Sequence, residues 1–430
     1  MKRSLTLALL IPTAALGAYL ASTALAGGAE PTAKATATLQ AGGTVTTTGL
    51  RLTGQNVTLP ARCAGLPTQT AQVVCAANTF LGTLSAAQRA KVLLPATEAN
   101  AIKWSNLPVA IVPRNGVALG DLSSTQRDAA LAVVRAATGS AADEGYSEAL
   151  QLRLADDVLN ISGNTNGVGG GGTPPAGATG TAPAGGPPSG TPPAGAPNGT
   201  PPAGGFPAGG LTGNDYGNGL YSLAFLGTPS TTGTWQLQFG GHHLAFNITY
   251  KAGQVAGATP KFTGVEPKVW TANGKTYAPM KGEHDTMAAM LAGLSAQQLA
   301  AAKLSQTFSD VLLGPNQDGK FPETKVGVRV GTLSAAQKAR VLAAIRPWVR
   351  DADDATAARL LAVYEKELDQ TYISYSGNPT LTKNADYARI DGPSVWIEFA
   401  CQNGVVYRSQ IHYHTIWRDH TRDYGGEYTF

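Results

Sequence analysis

The chain has 430 residues, a formal net charge of only +4 and 14% charged residues, so it carries no basic field and no nucleic acid is expected as a partner. Its length allows one or two domains with a large buried core. Much of its 52 Gly and 27 Pro falls in a single segment, which excludes regular structure there rather than throughout.

Residues 1–26 read as a signal peptide. Lys2 and Arg3 precede an apolar run from Leu5 to Leu20, and Ala24-Leu25-Ala26 sets small residues before Gly27. The run is shorter than the ~20 residues a spanning helix needs. A secreted or periplasmic protein is therefore expected, starting at Gly27 with a charge of 4 − 2 = +2 and with no integral membrane segment after cleavage.

Residues 27–58, rich in Thr, Ala and Gly, are expected to form a flexible lead-in. Residues 59–162 form a helical first half of the module. Within it Cys63 and Cys75, twelve positions apart, are expected to pair as a disulfide in an oxidising compartment. Cys401, left over, is expected to be buried and inert. Residues 163–210 are almost wholly Gly, Pro, Ala, Thr and Asn, with Thr-Pro-Pro-Ala-Gly starting at Thr173, Thr191 and Thr200. So few large apolar side chains cannot offset the chain entropy, and a disordered insert is expected, either a linker or a long surface-loop insertion. Residues 211–430 form a sheet-bearing second half that holds all six histidines.

Leu-Ser-x-x-Gln occurs at Leu84, Leu122, Leu294 and Leu333. Ser followed three residues later by Gln is a capping box, so each copy predicts a helix start. The serine spacings, 38 residues from Ser85 to Ser123 and 39 from Ser295 to Ser334, indicate a helical unit duplicated on either side of the insert. Period-two patterns over Leu220–Leu226, Trp235–Phe239, His243–Tyr250, Thr371–Tyr375, Val395–Phe399 and Val405–Trp417 predict strands, with Asn403-Gly404 as a hairpin signal. The fold class is α+β: an antiparallel sheet from the second half, flanked by two duplicated helical pairs.

The histidines fall into three motifs: His242-His243, His284 within Glu283-His284-Asp285, and His412-Tyr413-His414 followed by His420. Residues i and i+2 of a strand share a face, so His412 and His414 can meet one metal ion. In the other strand His242 aligns with apolar Leu244, Phe246 and Ile248, which leaves His243 as the third ligand, with His284 a further candidate. Three imidazoles and an open position suit a divalent transition metal, zinc or copper; two hydrogen-bonded histidines are the plainer reading of His-x-His. Glu283 and Glu398 are candidate bases, and Glu398 could instead orient a histidine. Arg418, Trp417, Tyr413 and Tyr424 are candidate ligand-binding residues, and the Arg418–Asp423 charges also read as a local ion-pair network.

Gly241-His242-His243-Leu244, Gly264-Val265-Glu266-Pro267, the Leu-Ser-x-x-Gln helix starts and the closing His412-Tyr413-His414, Trp417-Arg418-Asp419 and Asp423-Tyr424-Gly425 together resemble the domain-of-unknown-function family numbered 3500. Trp104–Pro108 and Arg114-Asn115-Gly116 resemble its N-terminal half. The resemblance covers roughly residues 65–425, with the insert as a departure from the usual pattern. It implies one module, commonly exported, and no established activity.

The residues themselves support three readings. One is a metal-dependent enzyme, most simply a hydrolase, in which a metal-bound water attacks. Another is a periplasmic or extracellular protein that binds a small molecule or metal without catalysis, with Trp396, Tyr413, Trp417 and Tyr424 lining its pocket. The third is a surface-interaction module with the insert as spacer. The identity of any small-molecule ligand or substrate is beyond the sequence.

Overall fold

All four Leu-Ser-x-x-Gln signatures start helices: Ala86–Val92, Ser124–Ala137, Ala296–Ala302 and Ala335–Val349, each with a complete capping box. The cap glutamines also meet in pairs. Gln126 Nε2 donates to Gln88 Oε1 at 3.2 Å and Gln337 Nε2 to Gln298 Oε1 at 2.7 Å, so the boxes of each unit lock to one another. Helix Gln69–Thr83 packs on Ser124–Ala137, and Lys281–Ala292 on Ala335–Val349.

The computed structural model describes residues 35–40, 43–166 and 212–430. The signal peptide, its cleavage site and most of the 163–210 insert lie outside the described residues. Ala35–Phe430 forms one unit, and no helix among the described residues is long and apolar enough to cross a membrane. Helix Gly145–Asn166 runs past the expected boundary at residue 163. The expected lead-in is partly structural: strand Val45–Thr48 pairs with Trp270–Ala272, and Val45, Leu50 and Val57 are buried. Cys63 and Cys75 form a disulfide with Cα atoms 5.4 Å apart, tying the short helix Ala61–Ala64 to Gln69–Thr83. Cys401 is buried and donates to Leu381 O, and burial pushes its thiol up to about 12.

The architecture is α+β around a twelve-stranded sheet. Its order is Val328–Arg329, Tyr372–Ser376, Tyr387–Asp391, Val395–Asn403, Ile411–Asp419, Lys261–Val265, Leu244–Lys251, Thr234–Gly241, Ser222–Leu226 and Leu93–Leu94, with Val117–Ala118 also on Ser222–Leu226 and Gln254–Gly257 on Leu244–Lys251. The sheet is antiparallel except where Leu93–Leu94 joins Ser222–Leu226, and these first-half residues make it a joint product of both halves. Asn403-Gly404 does not turn a tight hairpin. The Glu266 carboxylate collects the amides of Val405, Val406 and Tyr407, which takes them out of the ladder and delays the next strand to Ile411.

The duplication extends through the sheet. Leu119 N donates to Tyr221 O and Val330 N to Thr371 O, both at 2.8 Å, each just before a capped helix of the repeat. Gly264 N to His243 O, 2.7 Å, has its counterpart in His420 N to Ser394 O, 2.8 Å. The two repeats meet where Lys261–Val265 pairs with Ile411–Asp419 at mid-sheet.

Candidate metal centre

Strands Thr234–Gly241 and Leu244–Lys251 are joined by just two residues, His242 and His243, with Gly241 paired to Leu244. The expected alternation through these histidines is therefore corrected: neither is in the strand. His243 reaches the site because it takes φ +63°, a left-handed conformation uncommon outside Gly and Asn. Its amide donates to Asn106 O at 3.1 Å and its carbonyl accepts from Gly264 N. Arg114 ties the Ser105–Leu107 carbonyls to that of Gly241, which brings the first-half motif onto this turn.

Across the adjoining strands, His414 pairs with Gly264 and His412 lies two residues away on the same face. Three imidazoles converge. His414 Nε2 is 3.2 Å from His412 Nε2 and 3.1 Å from His243 Nε2, and all three residues are buried. His414 Nδ1 is 3.0 Å from Asp310 Oδ1. A carboxylate there takes the proton-bearing nitrogen, which leaves Nε2 of His414 as a lone pair facing its two neighbours. Burial, then the other imidazoles, hold His412 down to about 3 and His243 well below the usual histidine range, so both are neutral. Neutral Nε2 atoms around a tetrahedral zinc at ~2.0–2.1 Å would sit ~3.3 Å apart. The observed spacing fits that donor set, and it equally allows His412 and His243 to donate to His414 when no cation is present.

A second element was missed from the sequence. His242 is not on an apolar face: its Nδ1 lies 2.7 Å from Asp156 Oδ1, and its ring stacks on His243 at 3.6 Å between centroids. Asp156 comes from helix Gly145–Asn166, too far away in sequence to pair by spacing, and its Oδ2 is buried without a partner. Asp310 was missed for the same reason, since it lies in a loop whose only signal is the histidine it touches.

The other expected residues do not converge here. Glu283 and His284 start helix Lys281–Ala292 on the opposite face of the sheet. His284 stacks on Tyr413, whose side chain points away from His412 and His414 because it sits between them on the strand. Glu283 belongs to a buried group with Glu148 and Asp351, next to Lys261. Trp417 pairs with Lys261 and lies on that same far face. Glu398 shares the histidine face, and its carboxylate is taken up by four donors: the amides of Leu312 and Leu313, Trp396 Nε1 and Tyr387 Oη. Arg418, fully buried, bonds Leu313 O, Gly314 O, Asp318 and Asp423, which supports the ion-pair reading over ligand binding. Tyr424 Oη donates to Asp318 and accepts from Trp104 Nε1. With Tyr413 and Trp417 on one face and Trp396 opposite Arg418 on the other, these aromatics line no shared pocket.

No curated protein and no solved structure matches the chain. A family model described as "Protein of unknown function (DUF3500)" matches residues 67–426. That span takes in both repeats and every residue that builds the three-imidazole centre, and the chain belongs to the DUF3500 family.

Proposed function

We propose that this chain is an exported protein whose three-imidazole centre, His243, His412 and His414, holds a divalent transition metal, zinc or copper, and that the metal serves a hydrolytic reaction. The observation that carries the reading is the meeting of the three Nε2 atoms, that of His414 lying 3.2 Å from His412 Nε2 and 3.1 Å from His243 Nε2, with Asp310 against the other nitrogen of His414. Three protein ligands leave a fourth position for water, and the metal would lower that water's pKa towards ~7. With Glu283 and Glu398 committed elsewhere, His242 is the group assigned to proton transfer: its ring stacks on His243, and Asp156 holds its Nδ1.

Metal analysis of protein purified without chelator tests the reading. About one equivalent of zinc or copper is expected per chain, lost in His412→Ala while circular dichroism stays unchanged; metal-free wild-type protein that takes up neither ion would end it. The burial of all three histidines favours a second reading, metal binding without catalysis. A metal-loaded protein that hydrolyses no ester, amide or phosphoester substrate would leave that reading in place.

A further inference from the structure

Two of the polar residues that the sequence offers as candidates for catalysis and ligand binding, Glu398 and Arg418, grip one segment. Asp310–Gly314 crosses the histidine face of the sheet. Glu398, wholly buried, takes the segment's donors: Oε1 accepts from Leu313 N at 2.9 Å and Oε2 from Leu312 N. Trp396 Nε1 at 2.7 Å and Tyr387 Oη at 2.8 Å complete its shell. Arg418 takes the segment's acceptors, with Nε 2.7 Å from Leu313 O and Nη2 3.1 Å from Gly314 O. Both clamps stand on the face that carries His414, since Glu398 pairs with Ile416, and His414, Ile416 and Arg418 alternate along one strand. The first residue of the gripped segment is Asp310, whose Oδ1 meets His414 Nδ1.

We propose that Glu398 is a positioning residue for the three-imidazole centre. By holding Leu312 and Leu313 it sets Asp310 against His414, fixes His414 as the Nδ1–H tautomer and leaves Nε2 as the ligand atom. A buried carboxylate with four donors is a rigid anchor, because releasing any donor leaves a buried polar group unpaired. Arg418 fixes the other side of the segment through Leu313 O and Gly314 O, which holds the backbone that leads to Asp310. The metal part of this inference rests on the reading under Proposed function; the tautomer part does not.

The experiment compares wild type with Glu398→Gln, Asp310→Asn and Glu367→Gln. Glu367 anchors Ser394 at the far end of the Glu398 strand, through N at 3.0 Å and Oγ at 2.9 Å, and serves as the control for general loosening. Nitrogen-15 NMR reads the His414 tautomer in metal-free protein, and Co²⁺ titration reads the centre. Glu398→Gln and Asp310→Asn are both expected to lose the single Nδ1–H tautomer and to weaken Co²⁺ binding by ~10–100-fold, the usual cost of a lost partner behind a ligating histidine. Glu367→Gln is expected to change neither. A folded Glu398→Gln protein with wild-type tautomer and affinity overturns the proposal. If that variant does not fold, Glu398→Asp, which keeps the charge but withdraws the carboxylate by one methylene, carries the same two readouts. Wild type that binds no Co²⁺ while Glu398→Gln still scrambles the tautomer would remove the metal reading and leave the positioning role standing.

Discussion

Gly264 shows how tightly single residues are constrained at the centre. A Cβ built there would lie 3.0 Å from His243 Cδ2, His414 Cδ2 and Tyr413 O alike. Two imidazoles therefore rest on a bare backbone, with a carbonyl closing the third side. Gly264→Ala is expected to push both rings off their common point, at a stability cost of ~1–3 kcal/mol for overpacking. A Co²⁺ titration should show affinity reduced by at least about tenfold, the scale on which misplaced support around a metal is felt. Unchanged affinity would mean that the rings have room that the close contacts deny. The internal repeat gives the same lesson in reverse. The shared amide-to-carbonyl bond makes His420 the counterpart of Gly264 and Ser394 the counterpart of His243, so the second copy has an imidazole where the first has a bare floor and no imidazole at the turn. His420 there stacks on Phe321 and contacts Asp391, which makes that copy a packed structural end rather than a second centre.

Among the elements, the capping boxes have a purpose beyond starting helices. Each cap glutamine also satisfies the other cap's glutamine, and Gln337 Nε2 further donates to Gly293 O at the end of helix Lys281–Ala292. Removing one glutamine thus unties two helix starts and a helix end. Gln337→Ala is expected to cost more than the ~1 kcal/mol of an ordinary cap, and the double change with Gln298→Ala to cost less than the sum of the single changes. Denaturant unfolding of the four proteins measures this; strict additivity would show that the glutamine pair contributes nothing. These caps were fully legible from sequence because a capping box is local. The sheet was legible only in part. Tyr387–Asp391 was missed because Arg389 and Asp391 are buried within it, and Lys261–Val265 because it carries a buried lysine and a glycine. Those are the residues that the far-face charge group and the histidine rings require, so the chemistry disguised the strand that supports it. Of the centre, His243, His412 and His414 were legible, His243 through an alternation that the structure does not contain. Asp156, His242 and Asp310 were not, because their pairing depends on helix and loop placement rather than on spacing.

Across the whole molecule the central strand Lys261–Val265 presents different chemistry to its two faces. Gly264 floors the histidines, while Lys261 reaches the other way into Glu148 and Asp351, with Glu283 beside them. All four charged groups are buried. One ammonium cannot neutralise three carboxylates, and the burial of a charge without compensation is costly. Burial, then the Asp351 charge, pushes Glu283 up to about 7, and burial pushes Glu148 well above the ordinary carboxyl value. At least one proton is therefore held by this group in the folded protein at pH values where the unfolded chain has released it. The sign follows from that difference. A raised folded value means that the folded state binds more protons than the unfolded one between about pH 4.5 and 7, so this stabilisation is complete below 4.5 and fades as pH rises through 7. Glu283→Gln keeps a neutral group at every pH. Its stability relative to wild type is expected to increase from pH 5 to pH 8, by on the order of 1–3 kcal/mol. The comparison must be a difference between the two proteins, because the neutral buried histidines give wild type an opposite slope at lower pH. Urea unfolding of both proteins at the two pH values decides the matter. A difference that stays constant would show that the far-face carboxylates are already ionised at pH 5, and that Lys261 alone balances them.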